Sequence, residues 1–371
     1  MNIGITGQNG FIGYHLSQTI KYKLSHYNLI SFNRSFFDDA NALNKFVQSC
    51  DVIIHLAGIN RAENDKLVYN SNIKINKILN ESLLNSGFSG HLIFASSFQE
   101  ENNSGYGESK KESRIFLEET INKLGGNFTG ILIPNVFGPF CKPNYNSFIA
   151  TFCDIILKDN KPEIIDNNNV KLIYIDDLIS EIIQIIINGK GLNKKYIESK
   201  IELKVTEVFD ILEMYKDLYV YKNSIPLLDS SFKLKLFNTF RSYINLNNNY
   251  PKMLKKSNDH RGIFTELIRS EIGGQYSFST TLPGKTRGNH FHTRKIERFM
   301  VLDGEAKISL RKIGSDKVFS FTLNGNKPSY IDMPVWFTHN ITNIGDAPLI
   351  TSFWINEPYN EDDADTYFEN V

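Results

Sequence analysis

Short apolar runs alternate with longer stretches of helical periodicity along the first 235 or so residues. Between the runs, apolar side chains recur every three or four positions in residues 70–85 and 110–124. This alternation of strand and helix predicts an α/β Rossmann-type doubly wound parallel sheet with helices on both faces. The predicted strands lie at residues 1–5, 29–32, 52–56, 92–95 and 130–133.

The pattern changes from about residue 260, where no long helical periodicity remains. Many short strands with turn residues between them predict an all-β sandwich or barrel. An Asn-rich connector lies at residues 245–249, so we predict an α/β domain over residues 1–243 and an all-β domain over residues 244–371. The predicted strands of the second domain are residues 276–280, 298–302, 306–310, 318–323, 330–333 and 349–355.

Composition places the chain among folded globular proteins. Of its 371 residues, 41% are hydrophobic and 22% are charged, which excludes a disordered or fibrous chain. Lysine plus arginine and aspartate plus glutamate both number 41, so no net charge attracts nucleic acid or an acidic membrane. The chain has no apolar stretch of about 18 residues, no leader-like N-terminal segment and three scattered cysteines. We therefore expect a cytoplasmic protein with neither a membrane nor a nucleic-acid partner.

A glycine-rich turn follows the first predicted strand and leads into the first predicted helix. Such a turn lets backbone N–H groups and the helix dipole hold a pyrophosphate, so we predict a dinucleotide site here. The candidate cofactor-binding residues of this turn are Gly7, Gly10, Phe11, Ile12 and Gly13.

The second predicted strand ends at Asn33 and Arg34 rather than at an acidic residue. An aspartate there would bind the ribose 2′-hydroxyl, whereas an arginine can hold a 2′-phosphate. Both residues are therefore candidate cofactor contacts, and NADPH is favoured over NADH. The alternative for Arg34 is a solvated loop residue.

Tyr106 and Lys110 are four residues apart, so they share one face of a predicted helix. An ammonium group beside a phenol lowers the phenol's pKa, and the phenol can then exchange a proton with a carbonyl or alkoxide. Ser97, at the end of a predicted strand, supplies a hydroxyl that can hold the substrate oxygen. The three residues are candidate catalytic groups.

A polar segment at residues 139–147 follows the last of these strands. Its amides, phenol and cation suit sugar hydroxyls, a uracil face and a diphosphate. The alternative is a polar loop in which Asn146 or Ser147 caps the following helix. The candidate substrate contacts are Lys142, Asn144, Tyr145 and Asn146.

Four residues of the C-terminal half have the spacing of a metal site. His290 and His292 are two apart, so they point to the same face of a strand. Glu297 and His339 on neighbouring strands would complete a set of three nitrogens and one oxygen. Such a set suits zinc, iron, manganese or nickel, and zinc is favoured.

Taken together, these motifs make residues 1 to about 235 similar to an extended short-chain dehydrogenase/reductase. The matching pieces are Thr6-Gly7-x-x-Gly10-x-x-Gly13, His55-Leu56-Ala57-Gly58, Tyr106-x-x-x-Lys110 and Pro134-Asn135-Val-Phe-Gly138-Pro139. The resemblance implies a catalytic Ser97, Tyr106 and Lys110, with Ser96 as the alternative serine. It also implies cofactor contacts from Leu56, Ala57, Gly58 and Lys110, and a nucleotide-sugar contact from Asn135. Dehydratases of the family carry Thr-Asp-Glu where this chain has Ser97-Phe98-Gln99, so a reductase is implied.

The C-terminal half resembles a cupin, a jelly-roll barrel. His290-x-His292-x4-Glu297-x6-Gly304 matches the first cupin motif, and Pro334-x4-His339-x3-Asn343 matches the second. Trp336 stands where the second motif usually has a glycine. Residues 259–266 are similar to the opening motif of sugar-nucleotide 3,5-epimerases, which implies that Arg261 and Glu266 contact the nucleotide-sugar.

A reductase fused to a cupin is the arrangement of the bifunctional nucleotide-sugar enzymes of capsular polysaccharide synthesis. The resemblance implies C3 epimerisation of a UDP-4-keto-6-deoxy-N-acetylhexosamine by the cupin. NADPH-dependent reduction at C4 would then give UDP-2-acetamido-2,6-dideoxy-L-talose, on the way to UDP-N-acetyl-L-fucosamine. The resemblance to a cupin also implies a homodimer. The alternatives are a single-activity reductase with a structural or dimerising cupin, and a sugar-nucleotide-binding protein without turnover.

Overall fold

The computed structural model describes residues 1–254 and 267–371, and between them only the backbone of the strands Lys256–Asp259 and Gly262–Thr265. The chain divides into two units. The N-terminal unit comprises residues 1–151 and 164–206, and the C-terminal unit comprises residues 152–163 and 207–371. Residues 207–243 group with the C-terminal unit, and the domain boundary after residue 243 stays a prediction.

The N-terminal unit alternates strands and helices as its sequence pattern predicts. Short 3-10 helices lie at Arg34–Asp38 and Phe98–Glu101. The strands are β1 (Asn2–Thr6), β2 (Asn28–Ile30), β3 (Val52–His55), β4 (His91–Ser97), β5 (Asn127–Ile133), β6 (Asn135–Phe137), β7 (Asn169–Tyr174), β8 (Asn193–Tyr196) and β9 (Ile201–Lys204). The helices are α1 (Phe11–Lys23), α2 (Ala40–Gln48), α3 (Asp65–Ser86), α4 (Gly105–Lys123) and α6 (Ile175–Asn188), while α5 (Phe148–Leu157) and α7 (Val205–Tyr215) contain residues of both units.

The main sheet of this unit has six strands in the order β2-β1-β3-β4-β5-β8. Every neighbouring pair is parallel, so the predicted parallel α/β fold is confirmed for this half. All residues of β3 are buried, as expected for a strand covered on both faces. The strand order reverses at β1, between β2 and β3, and cofactors bind such sheets beyond the carboxyl ends of the strands at that reversal.

A hydrophobic cluster joins helices α2, α3 and α4 to strands β3, β4 and β5. It fixes α4, which carries Tyr106 and Lys110, against the sheet. Its fully buried members include Leu43, Val47, Ile53, Leu79, Leu83, Leu92, Phe94, Leu117 and Ile121. Among the described residues, no helix combines the length and apolar character needed to cross a membrane.

The C-terminal unit contains two five-stranded antiparallel sheets, of order β11-β20-β17-β22-β15 and β19-β18-β21-β16-β23. The six segments predicted as strands lie within β15, β17, β18, β19, β20 and β22. The strands are β10 (Ser224–Ile225), β11 (Lys252–Met253), β12 (Lys256–Asp259), β13 (Gly262–Thr265), β14 (Arg269–Ser270), β15 (Gln275–Thr281), β16 (Thr286–Phe291), β17 (Glu297–Asp303), β18 (Glu305–Lys312), β19 (Val318–Asn324), β20 (Ser329–Met333), β21 (Phe337–Asn343), β22 (Leu349–Ile355) and β23 (Tyr367–Phe368). Its helices are α8 (Ser231–Arg241) and α9 (Leu246–Asn249), with a π-helical turn at Lys216–Tyr221.

A buried network of hydrogen bonds around an ion pair links the first of these sheets to the helical segment before it. Arg298 of β17 donates two hydrogen bonds to the Asp332 carboxylate of β20, at 2.7 and 3.0 Å. The Tyr219 hydroxyl also donates to Asp332, and Arg241 Nη2 donates to the Met333 carbonyl at 2.9 Å. Because a buried charge is stable only when it is paired and hydrogen-bonded, this network explains why residues 216–241 belong with the C-terminal unit.

Trp336 lies in the turn before β21. Its φ of +62° is in the left-handed region, which explains why a glycine is usual at this place in the motif. The buried indole stacks on Phe291 of β16 with ring centroids 5.4 Å apart. Its backbone N–H donates to the His292 carbonyl at 2.7 Å, so the turn is attached to the chain at one of the predicted metal ligands.

Candidate functional site

The carboxyl ends of β1, β3, β4 and β5 surround a cavity of about 660 Å³. A second cavity of about 350 Å³ shares Gly7 and Gly10 with the first and adds Arg34 and Ala57. Among the predicted residues of this unit, Asn33 and Asn144 line neither cavity. Those that line the larger cavity are Gly7, Gly10, Phe11, Ile12, Gly13, Leu56, Gly58, Ser97, Tyr106, Lys110, Asn135, Lys142, Tyr145 and Asn146.

The glycine-rich turn after β1 forms one wall of the larger cavity. Gly7 has a φ of +76°, and a Cβ added at Gly13 would lie 2.2 Å from the Gly7 carbonyl oxygen. Side chains at these positions would therefore push the turn away from helix α1. No side chain caps the N-terminus of α1, so its first N–H groups can bind an anionic group in the cavity. These residues fit a dinucleotide pyrophosphate.

The two residues predicted to contact the cofactor ribose differ in position. The Asn33 side chain accepts a hydrogen bond from the Ser35 N–H at 3.0 Å and caps the 3-10 helix Arg34–Asp38. Arg34 is exposed and lines the smaller cavity. Of the pair, Arg34 is therefore the residue placed to contact a ligand.

Helix α4 brings Tyr106 and Lys110 to the larger cavity. Ser104 caps this helix by accepting from the Gly107 N–H at 3.1 Å. Lys110 is buried, and its Nζ donates to the Ala95 carbonyl at 2.9 Å and lies 5.8 Å from the centre of the Tyr106 ring. This placement brings the phenol and the ammonium group to one site, as their spacing predicts.

The pKa values of these two groups differ from the sequence prediction. Burial, reinforced by nearby Tyr145, raises the pKa of the Tyr106 phenol above its usual value, so the predicted lowering by Lys110 is wrong. Burial also lowers the pKa of Lys110 to about 8. Desolvation is the largest cause of both shifts, because each group is taken from water into the folded site. Tyr106 is consequently protonated at neutral pH.

The two candidate serines have different hydrogen-bond partners. The Ser96 hydroxyl donates to the buried carboxylate of Glu100, which pairs with Arg114 at 2.9 Å. The Ser97 hydroxyl accepts from the Gln99 N–H at 3.1 Å and is only half-buried. This arrangement favours Ser97 as the serine that faces a substrate.

The polar segment contributes three of its four candidate side chains to the larger cavity. Lys142 Nζ lies 5.8 Å from the centre of the Tyr145 ring. Asn144 instead has a φ of +56°, and its backbone accepts from Arg61 at 3.3 Å and donates to Thr151 at 2.9 Å. Ser147 accepts from the Ala150 N–H at 3.5 Å, so it caps the following helix as the alternative interpretation proposed.

Several residues that line the larger cavity were not predicted from the sequence, among them Lys171, Phe98, Gln99 and Asn102. Lys171 of β7 adds a cation to the cavity that contains Lys110 and Lys142. It lies in a strand without a recognisable motif, and only the pairing of β7 with β6 brings it near. Phe98, Gln99 and Asn102 complete the wall after β4.

The four predicted metal ligands of the C-terminal unit converge. One donor atom from each of His290, His292, Glu297 and His339 lies within 4.8 Å of all the others. Glu297 Oε2 is 3.1 Å from His292 Nε2 and 3.0 Å from His339 Nε2, yet these three buried atoms make no hydrogen bond of normal geometry. Burial opposes the charged carboxylate, but the neighbouring His292 and His339 hold the pKa of Glu297 well below its usual range. Three nitrogens and one ionised carboxylate in this arrangement fit a divalent metal.

The prediction that His339 lies on a strand next to that of His290 is confirmed, and the same prediction for Glu297 is wrong. His290 of β16 is directly opposite His339 of β21 within one sheet, whereas Glu297 begins β17 of the other sheet. The ligand group therefore bridges the two sheets. Arg261 and Glu266, predicted from the epimerase-like motif, lie outside the described residues.

Sequence comparisons define the class of this protein. Residues 3–196 match the NAD dependent epimerase/dehydratase family, and residues 257–367 match the polysaccharide biosynthesis C-terminal domain. The chain belongs to the NAD dependent epimerase/dehydratase family, and its predicted resemblance to a nucleotide-sugar reductase of capsular polysaccharide synthesis is confirmed.

Individual relatives cover both halves of the chain. It is 30% identical to the UDP-2-acetamido-2,6-beta-L-arabino-hexul-4-ose reductase of Pseudomonas aeruginosa over 99% of this chain and 98% of that protein. The crystal structure of the capsular polysaccharide assembling protein CapF from Staphylococcus aureus matches with 31% identity and a TM-score of 0.61, over the full length of both chains. The structure of RMD from Pseudomonas aeruginosa complexed with NADPH covers 58% of this chain and 85% of that chain, with 18% identity and a TM-score of 0.53, and shares the fold.

Proposed function

We propose that this protein is a nucleotide-sugar epimerase and reductase of capsular or surface polysaccharide precursor synthesis. One observation carries the proposal: a nucleotide cradle, Ser97, Tyr106 and Lys110 line a single cavity in a chain similar over its whole length to a keto-sugar reductase. The substrate is a UDP-4-keto-6-deoxy-N-acetylhexosamine and the product UDP-2-acetamido-2,6-dideoxy-L-talose.

The N-terminal unit would carry out the reduction at C4. The glycine-rich turn would hold NADPH and Arg34 would contact its 2′-phosphate, and the bound cofactor would supply the hydride. Tyr106, whose raised pKa keeps it protonated, donates its proton to the C4 oxygen. The Lys110 ammonium group stabilises the negative charge on that oxygen and on the phenolate that remains, and the Ser97 hydroxyl positions the oxygen.

The remaining cavity side chains suit the rest of a UDP-sugar. Lys142 and Lys171 bring two cations to the cavity, which matches the charge of a diphosphate. Asn135, Tyr145 and Asn146 supply amide and phenol groups for the sugar and the uracil. We retain Arg261 and Glu266 as nucleotide-sugar contacts of the C-terminal half.

The C-terminal unit would epimerise C3 before the reduction. We assign it a cupin barrel, supported by its two antiparallel sheets and the motif residues that converge between them. His290, His292, Glu297 and His339 would hold a divalent metal, with zinc favoured, and a bound metal supplies a Lewis acid.

A ketone at C4 makes the C3 proton acidic, so the proton can be removed from one face and returned to the other. Reduction removes that ketone, so epimerisation must come first. The enzyme is proposed to act in the cytoplasm as a homodimer.

The proposal is tested with the purified protein and the keto-sugar in deuterated water without NADPH, followed by NMR at C3. We expect deuterium to enter C3, and NADPH added afterwards to be consumed as the talose product forms. Reduction without C3 exchange would leave a single-activity reductase. If neither reaction occurs, the proposed enzyme activity is wrong, and the alternative of a sugar-nucleotide-binding protein without turnover stands.

The rate of reduction should depend on the protonation of Lys110. Because the pKa of Lys110 is lowered to about 8, its ammonium charge is present at neutral pH and is lost as the pH rises past that value. Tyr106 has a raised pKa and stays protonated over the same range. We therefore expect kcat for NADPH oxidation to fall above about pH 8, approaching a tenfold loss per pH unit. A Lys111→Gln control on the exposed side of α4 should keep this profile, and a flat profile would contradict the role of Lys110.

A further inference from the structure

Asp365, near the C-terminal end of the chain, is surrounded by hydrogen-bond donors of one turn. Its buried carboxylate accepts from the backbone N–H groups of Thr293, Arg294 and Lys295 at 2.9 to 3.2 Å. It also accepts from the Thr293 hydroxyl at 2.6 Å. This turn connects His292 to Glu297, so the carboxylate fixes the chain between two of the proposed metal ligands.

The backbone of Asp365 contacts a ligand directly. Its carbonyl oxygen lies 2.6 Å from His292 Nδ1 and can only accept a hydrogen bond, so Nδ1 carries the proton. The other ring nitrogen, Nε2, is thereby left as a lone-pair donor facing Glu297 at 3.1 Å. Such a partner fixes both the tautomer and the orientation of a metal-binding histidine.

The residues after Asp365 hold the strands that carry the other two histidines. In β23, Phe368 is directly opposite His290 of β16. The Glu369 N–H donates to the Asn289 carbonyl at 3.0 Å, and the Thr338 hydroxyl of β21 donates to the Glu369 carbonyl. The segment 365–369 thus contacts both ligand strands of one sheet and the turn that leads to Glu297 in the other.

We infer that residues 365–369 set the affinity of the metal centre, with Asp365 as the positioning residue. The segment contributes no ligand atom. It holds the ligands of both sheets in place before metal binds, so that the metal does not have to order them. This inference rests on the proposed metal site, and it adds a residue that the cupin motifs do not contain.

The test compares Asp365→Asn with Asp362→Asn, an exposed aspartate three residues earlier that undergoes the same change of charge. Each protein is loaded with zinc, and zinc release is followed with a chromogenic chelator. We expect zinc affinity to fall about 10- to 100-fold in Asp365→Asn and to be unchanged in Asp362→Asn. The amide places an N–H₂ group against backbone donors, so at least one of them loses its acceptor.

Two further measurements separate positioning from folding. The visible spectrum of the cobalt(II)-loaded protein should change in Asp365→Asn, because the coordination geometry changes, while circular dichroism should show that the metal-free variant is folded. Thr293→Val removes the 2.6 Å hydroxyl contact and keeps the backbone donors of the turn, so it should weaken zinc binding in the same direction by a smaller factor. It provides the test if Asp365→Asn does not fold.

The outcomes distinguish this inference from the proposed function. If the unaltered protein binds zinc and a folded Asp365→Asn or Thr293→Val variant binds it equally tightly, the inference is wrong and the metal site stands. If the unaltered protein binds no more zinc than a His290→Ala/His339→Ala variant, the metal site itself is wrong, and the inference is wrong with it.

Discussion

Replacing Tyr106 with phenylalanine should lower kcat for NADPH-dependent reduction by about 10²- to 10⁴-fold, the usual contribution of a positioned proton donor. The phenylalanine ring fills the same space, so the cavity keeps its shape. The C4 oxygen would then gain its negative charge without a proton donor in reach. Binding of NADPH, measured by the change in its fluorescence, should be retained because the glycine-rich turn and Arg34 are intact.

Tyr69→Phe is the matched control. Tyr69 lies on α3, its hydroxyl donates to Glu112 on the surface, and it lines neither cavity. This variant should reduce the keto-sugar at the normal rate. A Tyr106→Phe enzyme that oxidises NADPH at full rate would show that another group protonates the product, and the role assigned to Tyr106 would be wrong.

Replacing His339 with alanine should reduce deuterium exchange at C3 to background. His339 is fully buried, and its Nε2 is 3.0 Å from Glu297. The change would leave three candidate ligands around a space the size of an imidazole ring. Metal content, measured on the purified variant, should fall together with exchange, because a four-ligand site loses geometry and charge neutralisation when one ligand is removed.

The reductase activity of the same variant provides the internal comparison. With keto-sugar first equilibrated by the unaltered enzyme, NADPH consumption by His339→Ala should remain normal. His26→Ala, which removes an exposed histidine of the N-terminal unit, should affect neither reaction. Normal C3 exchange in a His339→Ala protein that has lost its metal would exclude a role for the metal in epimerisation.

The parts of the fold and site that could be predicted are those set by local spacing. The pairs Gly7 and Gly13, Tyr106 and Lys110, and His290 and His292 are each at most six residues apart in the sequence, so local geometry alone brings their members near each other. The alternation of short apolar runs with helical periodicity predicted the parallel sheet in the same way, from local sequence pattern alone.

What could not be predicted depends on long-range pairing and on burial. Glu297 joins the histidines across two sheets, and the strand order responsible has no local signal. Lys171 enters the cavity only through the pairing of β7 with β6. The raised pKa of Tyr106 depends on how much water the folded site excludes, and residue spacing contains no information about that.

The position of Trp336 gives the molecule a built-in optical probe. The chain has two tryptophans, Trp336 and Trp354, and both are buried in the C-terminal unit. Emission from tryptophan therefore reports on that unit alone, and the Trp336 indole stacks on the phenylalanine between His290 and His292. A single denaturation experiment that follows this emission together with helical circular dichroism would show whether the two units unfold together or in separate steps.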